Sequence, residues 1–536
     1  MPSSRDELTV KVSGEAGQGM QTVGAALCRI FKKRGFCIFA DQDYMSRIRG
    51  GNNFFRLRIA GRPLYTLRDK SDIAVALDDP GIAKIAEGAG DTKGVNSVAC
   101  GLIVGLTGIE FVHVEEELRA AFEKKGEEIV AANIRAAKAG YDHAVAGPQK
   151  QDFIINPASS AKPLLMNGND AIAMGAIRAG CKFYSAYPMT PSTSIMNVIA
   201  HYSKEYGILV EQAEDEIAAI NMAIGASFAG ARAMASTSGG GFALMVEGVS
   251  LSGMTETPVV IVDAQRPAPA TGFPTRTEQA DLDFILHAGH GEFARAVFAP
   301  GTIEEAFYLT VRAFNLAEKY QIPVFILTDQ HLADSYRDVD NVDLNKAKVV
   351  RYVISRAESG KVKGYKRYRL TDSGISPRAI PSWIDDVIYV DSDEHTEEGH
   401  ITEDAGIRVK MVEKRLYKKM AGLSAEIEKP SAHNLDDAEL VLVGFGSTYG
   451  VMKEASGRTG GRKAGFIHLS QVWPFPSKEI TVLLKGKRAV TVENNATGQL
   501  ARLIRRETGI ELGRPILKYD GRPFDLDYLT EKIKEV

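Results

Sequence analysis

Between Leu164 and Asp329 the chain repeats one pattern: a short apolar run, a loop carrying glycine or proline, then a helix. "KFYSAYP", "ARAMASTS", "PVVIVDA" and "IPVFILTD" read as strands bounded by turn residues. Helices are expected in "GNDAIAMGAIRAG", after "TPSTS", in "DEIAAINMAIGASFAG", in "FALMVEGVSLSGMTE" after a Gly turn "GGG", and in "TIEEAFYLTVRAFNLAEKY". Strand and helix alternating in this way predict an α/β fold with a doubly wound parallel sheet. Ligands of such sheets lie beyond the carboxyl ends of the strands, which directs attention to the loops "YPMTPST", "STSGGG" and "DAQRPAPATGFP".

At 536 residues the chain is long for one core and suggests three or four domains. Residues 8–13 (LTVKVS) alternate like a strand and run into "GEAGQGMQTVGAALCRIFKKRG", a Gly-rich turn opening an amphipathic helix; "FCIFA", "FFRLRIAG" and "SDIAVAL" read as further strands. This α/β unit ends near the polar stretch at residues 146–163. Residues 336–430 are less regular, with a basic "KVKGYKRYRL" and an acidic "DSDEHTEEGHITEDAG". The α/β pattern returns in "ELVLVGFGSTYG", "AGFIHL" and "RAVTVENNATGQLARLIRRETG". The expected divisions are therefore 1–155, 164–335, 336–430 and 431–536.

A formal charge of −3 with 25% charged residues gives no basic excess to suggest nucleic acid. "MPSSRDELTV" lacks the apolar core of a signal peptide, and no window approaches a membrane-spanning helix. Cys28, Cys37, Cys100 and Cys181 are scattered without CxxC spacing, which argues against a disulfide framework, a zinc site or a self-contained iron–sulfur cluster. A reducing cytoplasm is the expected compartment.

Four acids (Glu211, Glu214, Asp215 and Glu216) stand at the front of "VEQAEDEIAAINMAIGASFAG", in which only Asn221 and Ser227 are polar after Glu216. Helix-start electrostatics accounts for acids there in general. Glu216 shares a face with Ala219, Ile220 and Ala223, a small apolar stripe against which a ring could lie, which makes it eligible for a role beyond helix-start charge. In "YPMTPSTS" Pro188 and Pro191 stiffen a strand-end loop where Thr190 or Ser192 could cap the next helix. Arg266, just after "PVVIVDA", could fork onto a carboxylate or pair with Asp281 or Glu278. "GEAGQG" places Gly14, Gly17 and Gly19 where backbone N–H groups could approach phosphate, yet it matches neither GxGxxG nor a P-loop; "SRIRGGNNF" adds two arginines beside a Gly pair. His395 and His400 lie five residues apart with Gly399 between, which does not match the helical His pair of a catalytic metal, and no metal ligands are assigned.

Taken in this order along nearly the whole chain, "GEAGQGM" with "SRIRGGNN", "NGNDAIAMGAIRAGCKFYSAYPMTPSTSI", "TSGGGFALMVEGVSLSGMTETPVVIVDAQRPAPATGFPTRTEQADL", "HAGHGEFARAVFAPGT", "SDEHTEEGHITED" and "TVENNATGQLARLIRRETG" resemble the 2-oxoacid:ferredoxin oxidoreductases. Specifically, the chain looks like the large subunit in which a gamma domain is fused ahead of the alpha domains. The resemblance implies a gamma-type domain over 1–155, a thiamine diphosphate pyrimidine-binding domain over 164–335 and a transketolase-C-terminal-like domain over 431–536. One departure is "RPAPATG", where relatives usually carry a Gly-Gly-Pro-Ser run.

The family implies decarboxylation of a 2-oxoacid on thiamine diphosphate, one-electron transfers to iron–sulfur centres and ferredoxin, and capture of the acyl group by coenzyme A. It places the diphosphate, Mg2+ and the [4Fe-4S] ligands on a separate beta subunit, in an (alpha-beta)2 assembly. Carried over, Glu216 is the pyrimidine carboxylate, with Pro188, Ser238 and Gly239 as further cofactor contacts. Thr190 and Arg266 face the substrate oxo and carboxylate groups; Gly17, Gln18, Gly19 and Arg49 are coenzyme A candidates. "PTRTEQADL" and "SDEHTEEGH" resemble the 2-oxoglutarate group, and Arg276 is the candidate for a second carboxylate. Pyruvate or a branched or aromatic oxoacid is the alternative substrate, and a non-catalytic assembly subunit is the alternative of another class.

Overall fold

The computed structural model describes residues 6–46, 50–90, 93–148, 155–157, 164–458 and 463–536. The chain divides into two compact units: one of residues 1–167, 334–341 and 524–531, the other of 168–333, 342–523 and 532–536.

In the first unit a six-stranded sheet runs in the order Ile73–Ala76, Glu7–Ala16, Gly50–Ala60, Cys37–Asp43, Tyr336–Val339, Leu164–Met166. All of its pairings are antiparallel except that of Glu7–Ala16 with Ile73–Ala76. Leu8, Val10 and Val12 of the first strand alternate into a core with Val23, Leu27, Ile30 and Phe31 of the helix Met20–Lys33. The unit departs from the expected ranges in three places. Arg337 pairs with Phe39 and Met166, and Asp338 accepts the Ile38 N–H at 2.8 Å, so Tyr336–Val339 and Leu164–Met166 complete this sheet rather than bounding the next domain. Phe524–Glu531 also belongs here: the Leu526 N–H donates to the Leu67 carbonyl at 2.9 Å. Most of the stretch expected as a linker, 146–163, lies outside the described residues.

The second unit holds two sheets. Seven strands run in the order Gln471–Trp473, Ala296–Phe298, Pro323–Asp329, Val259–Gln265, Arg232–Thr237, Cys181–Ala186, Leu209–Gln212, all parallel except the first. This is the doubly wound sheet that the alternation predicts. Its central strands are buried along their whole length, as a sheet covered on both faces requires. Three short strands, Leu209–Gln212, Ala296–Phe298 and Gln471–Trp473, extend it beyond the strands read in the sequence. Five strands form the other sheet, Ser431–His433, Ala464–Leu469, Leu440–Phe445, Ala489–Glu493 and Ile516–Leu517. Gln471–Trp473, which follows a strand of the five-stranded sheet, pairs antiparallel with Ala296–Phe298 at the edge of the seven-stranded one.

Residues 342–430 hold short helices such as Arg356–Ser359 and Ala405–Val412 but a dense polar interior. None of the four cysteines is in a disulfide, and all four are buried. Among the described residues no helix is long and apolar enough to cross a membrane.

Candidate active site

Four neighbouring strands of the seven-stranded sheet, Val259–Gln265, Arg232–Thr237, Cys181–Ala186 and Leu209–Gln212, end at one edge. Parallel order puts their carboxyl ends side by side, so the loops that follow converge. Those loops carry Arg266, Ser238, Pro188 to Thr190, and the approach to Glu216.

The acids at the front of the helix Glu216–Phe228 have separate fates. Asp215 is its N-cap and accepts the Ala218 N–H at 2.8 Å, while Glu211 and Glu214 are exposed. Glu216 opens the helix and is 3% exposed, on the same buried face as Ala219, Ile220 and Ala223. Among the described residues one side chain donates to it, the Thr237 hydroxyl, 3.5 Å from Oε1. Burial raises its proton affinity; its own backbone N–H, Thr237 and Arg266 pull the other way.

The helix Gly239–Met254 includes all three glycines of the expected turn. The reason is steric. A Cβ on Gly241 would overlap Thr237 Oγ1 and Glu216 Oε1, and one on Gly239 would overlap the Asp281 carboxylate. Glycine lets the helix start against these groups. Ser238 is the N-cap residue, yet its side chain makes no cap bond, and its Oγ is fully buried without a partner among the described residues. The side-chain-free edge of Gly239–Gly241, the Glu216 carboxylate and the Ser238 hydroxyl thus form a cradle with two under-satisfied polar groups. It fits a flat nitrogenous ring that can supply an N–H.

Arg266 and Thr190 meet. Arg266 Nη1 donates to the Thr190 carbonyl at 2.8 Å, which ties the two strand-end loops together. Thr190 does not cap the next helix; the Ser192 hydroxyl donates to the Met189 carbonyl at 2.8 Å instead. Met189 also brings its sulfur to 3.8 Å from Thr237 Oγ1. Arg266 is half-buried and forms no ion pair with Asp281 or Glu278. Burial lowers its proton affinity, while the nearby charges of Asp281 and Glu216 sustain it. A guanidinium held by one carbonyl leaves donors for a bidentate carboxylate.

Other candidates lie elsewhere. Arg276 belongs to a turn in which its N–H donates to the Phe273 carbonyl at 3.1 Å, and its Cβ lies near Gly521; the contacts described do not join it to Thr190 or Arg266. Gln18 Oε1 accepts the Glu15 N–H at 2.7 Å within its own turn, and Gly17 and Gly19 adopt positive φ at the start of the helix Met20–Lys33. Arg49 lies outside the described residues. In the His-acid stretch, Glu394 takes hydrogen bonds from Arg408 and Arg415, and His395 lies buried with its ring centroid 3.8 Å from that of Tyr368.

Sequence reasoning did not select Thr237, Met189 or Asp263, and it treated Asp281 only as an alternative partner for Arg266. Asp263 carried a usable signal: an acid inside an apolar parallel strand, "PVVIVDA", has no solvent to face.

The chain matches three family profiles. Residues 174–414 match pyruvate flavodoxin/ferredoxin oxidoreductase, thiamine diphosphate-binding; 9–85 and 81–143 match pyruvate ferredoxin/flavodoxin oxidoreductase; and 438–528 match pyruvate:ferredoxin oxidoreductase core domain II. It is 32% identical to the 2-oxoacid:ferredoxin oxidoreductase subunit alpha of a Sulfolobus species, over 98% of this chain and 96% of that one. It is 36% identical to the 2-oxoglutarate synthase subunit KorA of Methanocaldococcus jannaschii, over 62% of this chain and 88% of that one. Among solved structures, the 2-oxoglutarate:ferredoxin oxidoreductase from Magnetococcus marinus with 2-oxoglutarate, coenzyme A and succinyl-CoA bound is similar with a TM-score of 0.93. The identity is 30%, covering 99% of this chain and 100% of that one.

Proposed function

This chain belongs to the 2-oxoacid:ferredoxin oxidoreductase family and corresponds to its alpha subunit, and on that premise we propose that it serves the coenzyme A-dependent oxidative decarboxylation of 2-oxoglutarate to succinyl-CoA and carbon dioxide, with ferredoxin as electron acceptor. The observation that carries the reading is the convergence of a buried, under-satisfied Glu216 with an Arg266 that is anchored yet not ion-paired. The ligands bound to the Magnetococcus marinus structure and the substrate named for the M. jannaschii KorA relative favour 2-oxoglutarate.

Thiamine diphosphate, when bound, supplies the electron sink that makes loss of the carboxylate possible. The chain's own residues do the rest by position. Glu216 holds a proton at a ring nitrogen, in a setting dry enough for the carboxylate to act as an acid–base partner. Ser238 offers a hydroxyl, and Gly239 to Gly241 offer a close approach. Arg266 orients the substrate carboxylate, and its bond to the Thr190 carbonyl sets the distance between that carboxylate and the oxo group. Arg276 is the candidate partner for the distal carboxylate.

A beta subunit carrying the diphosphate, Mg2+ and an iron–sulfur cluster completes the enzyme. Two features of the chain support a covering partner. Its four cysteines are buried and scattered. Ile217 and Leu244, on the two helices that frame the cradle, remain 51% and 49% exposed.

Glu216→Gln in the assembled complex tests the assignment. Turnover should fall by about two to four orders of magnitude while assembly persists; unchanged turnover would favour a non-catalytic assembly subunit. Kinetics across 2-oxoacids test the substrate: kcat/KM should be highest for 2-oxoglutarate, and equal or better use of pyruvate would overturn that choice.

A further inference from the structure

One hydroxyl proton at the strand ends has three acceptors within reach. Thr237 Oγ1 lies 3.5 Å from Glu216 Oε1, 3.8 Å from Met189 Sδ and 3.3 Å from the Ser238 carbonyl. A threonine hydroxyl carries a single proton, so a bond to one acceptor is withheld from the others. Among side chains the contest is between a carboxylate and a thioether. The thioether is the weaker acceptor, but sulfur is larger than oxygen and accepts at longer range, and the bond to the carboxylate is itself long.

Met189 is held beside Thr237 by its backbone. Its carbonyl accepts the Ser192 N–H at 2.9 Å and the Ser192 hydroxyl at 2.8 Å. The Thr190 carbonyl takes Arg266 at 2.8 Å, and the Pro191 carbonyl takes the Asn169 amide at 2.8 Å. A loop pinned at successive carbonyls restricts where an otherwise adaptable thioether can point. Glu216 meets the same hydroxyl from the other side. The glycine helix presents Gly241 to its Oε1, and a glycine has no side chain with which to replace Thr237 as donor. The charged groups facing Glu216 are Asp215, at the cap of its own helix, and Arg266, after the strand Val259–Gln265. Asp215 disfavours the ionised form and Arg266 favours it.

We propose that Met189 is a positioning residue: its sulfur draws part of the Thr237 hydroxyl away from Glu216 and so keeps that carboxylate more basic than an undivided bond would leave it. The inference deepens the reading of Glu216 as the acid–base partner of the cofactor ring, and for its purpose it rests on that reading. A carboxylate that gives and takes a proton works best with an affinity near the working pH. An undivided bond from Thr237 would hold it more firmly ionised. No electron moves and no covalent bond changes; the hydroxyl proton stays on Thr237, and only its direction differs.

Infrared spectroscopy on the full-length chain, without cofactor, tests this apart from turnover. The C=O stretch of the protonated Glu216 carboxyl, isolated as the difference between the unmodified protein and Glu216→Gln, is followed across pH. Met189→Leu keeps the bulk and removes the acceptor, and the Glu216 midpoint should fall by about half a pH unit. Thr237→Val should raise the midpoint. In the Thr237→Val background, Met189→Leu should then have no further effect, since no hydroxyl remains to divide. A midpoint that Met189→Leu leaves unmoved or raises overturns the proposal. An equal fall in the Thr237→Val background also overturns it, because the effect then comes from packing around Glu216. Either result leaves the Glu216 reading standing if Glu216→Gln loses turnover in the assembled complex. Midpoints that move as expected while Glu216→Gln turns over normally overturn the Glu216 reading and leave the division of the hydroxyl standing.

Discussion

Thr237 stands at the point where two strands and two helix starts meet. Its hydroxyl is the one side-chain donor to Glu216 among the described residues, and its strand neighbour is Asp263. Donation to a carboxylate favours the charged form, so Thr237 holds the proton affinity of Glu216 below what burial alone would set. Thr237→Val, close in shape and lacking the hydroxyl, should shift the acid limb of the kcat–pH profile toward higher pH. A profile unmoved by the substitution would show that Glu216 does not need this bond. A helical period puts Glu216 on the Ala219–Ala223 stripe and makes it eligible, the family resemblance is what nominates it, and Asp215 could be read as a helix-start charge. Thr237 could not, because threonine at the end of a strand looks the same whether its hydroxyl meets a carbonyl, water or a catalytic acid. Arg266 was half readable: its position after a strand indicated a ligand-facing loop, whereas its bond to the Thr190 carbonyl joins residues 76 apart in sequence.

At the scale of elements, the strands of the parallel sheet follow from their apolar runs, and the glycines before Phe242 do not follow from local rules. Gly-Gly-Gly reads as a turn because glycine is costly inside a helix. Here the carboxylates of Glu216 and Asp281 occupy the space a Cβ would need, so the tertiary neighbours decide. In the region 342–430 tertiary neighbours again decide, since lysine and arginine are almost never fully buried unless paired. Lys414 and Lys419 are 0% and 1% exposed and both ion-pair with Glu256, which lies beyond the glycine helix in a left-handed conformation with φ 51°. Arg367 adds a hydrogen bond to the Glu256 carbonyl at 2.6 Å. Glu256→Ala strands two buried ammonium groups and should destabilise the protein by about 3–5 kcal/mol in urea unfolding, because an uncompensated buried charge costs far more than the pair itself contributes. A loss under about 1 kcal/mol would mean that the two lysines reach solvent or deprotonate without strain.

Across the whole second unit, the two sheets are stitched together at the site. Gln279 donates its backbone N–H to the Asn494 carbonyl at 2.7 Å and its amide to the Phe445 carbonyl at 3.0 Å. Asn495 donates to the Gln279 carbonyl at 3.2 Å and to Glu493 at 2.9 Å, while its Oδ1 accepts from the Thr497, Gly498 and Gln499 N–H groups. Gln499 reaches the Ala280 carbonyl at 2.8 Å. The "TEQADL" and "ENNATGQ" segments, more than 200 residues apart, are thus one clamp, and it fixes the backbone that carries Asp281. Asn495→Ala should cost about 1–3 kcal/mol of stability through its orphaned partners. It should also raise KM for the oxoacid more than it lowers kcat, because the clamp holds the Asp281 N–H on Gln265, the residue next to Arg266. Equal changes in both constants would place the clamp outside substrate positioning. Each segment stood out in the sequence, but their pairing did not, since nothing local relates a strand-end loop of one sheet to that of another.

The six-stranded sheet of the first unit takes its fifth strand from Tyr336–Val339, and its unit takes a further segment from Phe524–Glu531. As the chain leaves the ribosome, residues 7–60 therefore emerge with the Cys37–Asp43 edge bare, and the strand that covers that edge is made nearly 300 residues later. An open strand edge invites pairing with other chains. Strands made before Tyr336 are completed by one made long after them, and a nascent chain stalled before Tyr336 would be held together by a sheet still waiting for its own border.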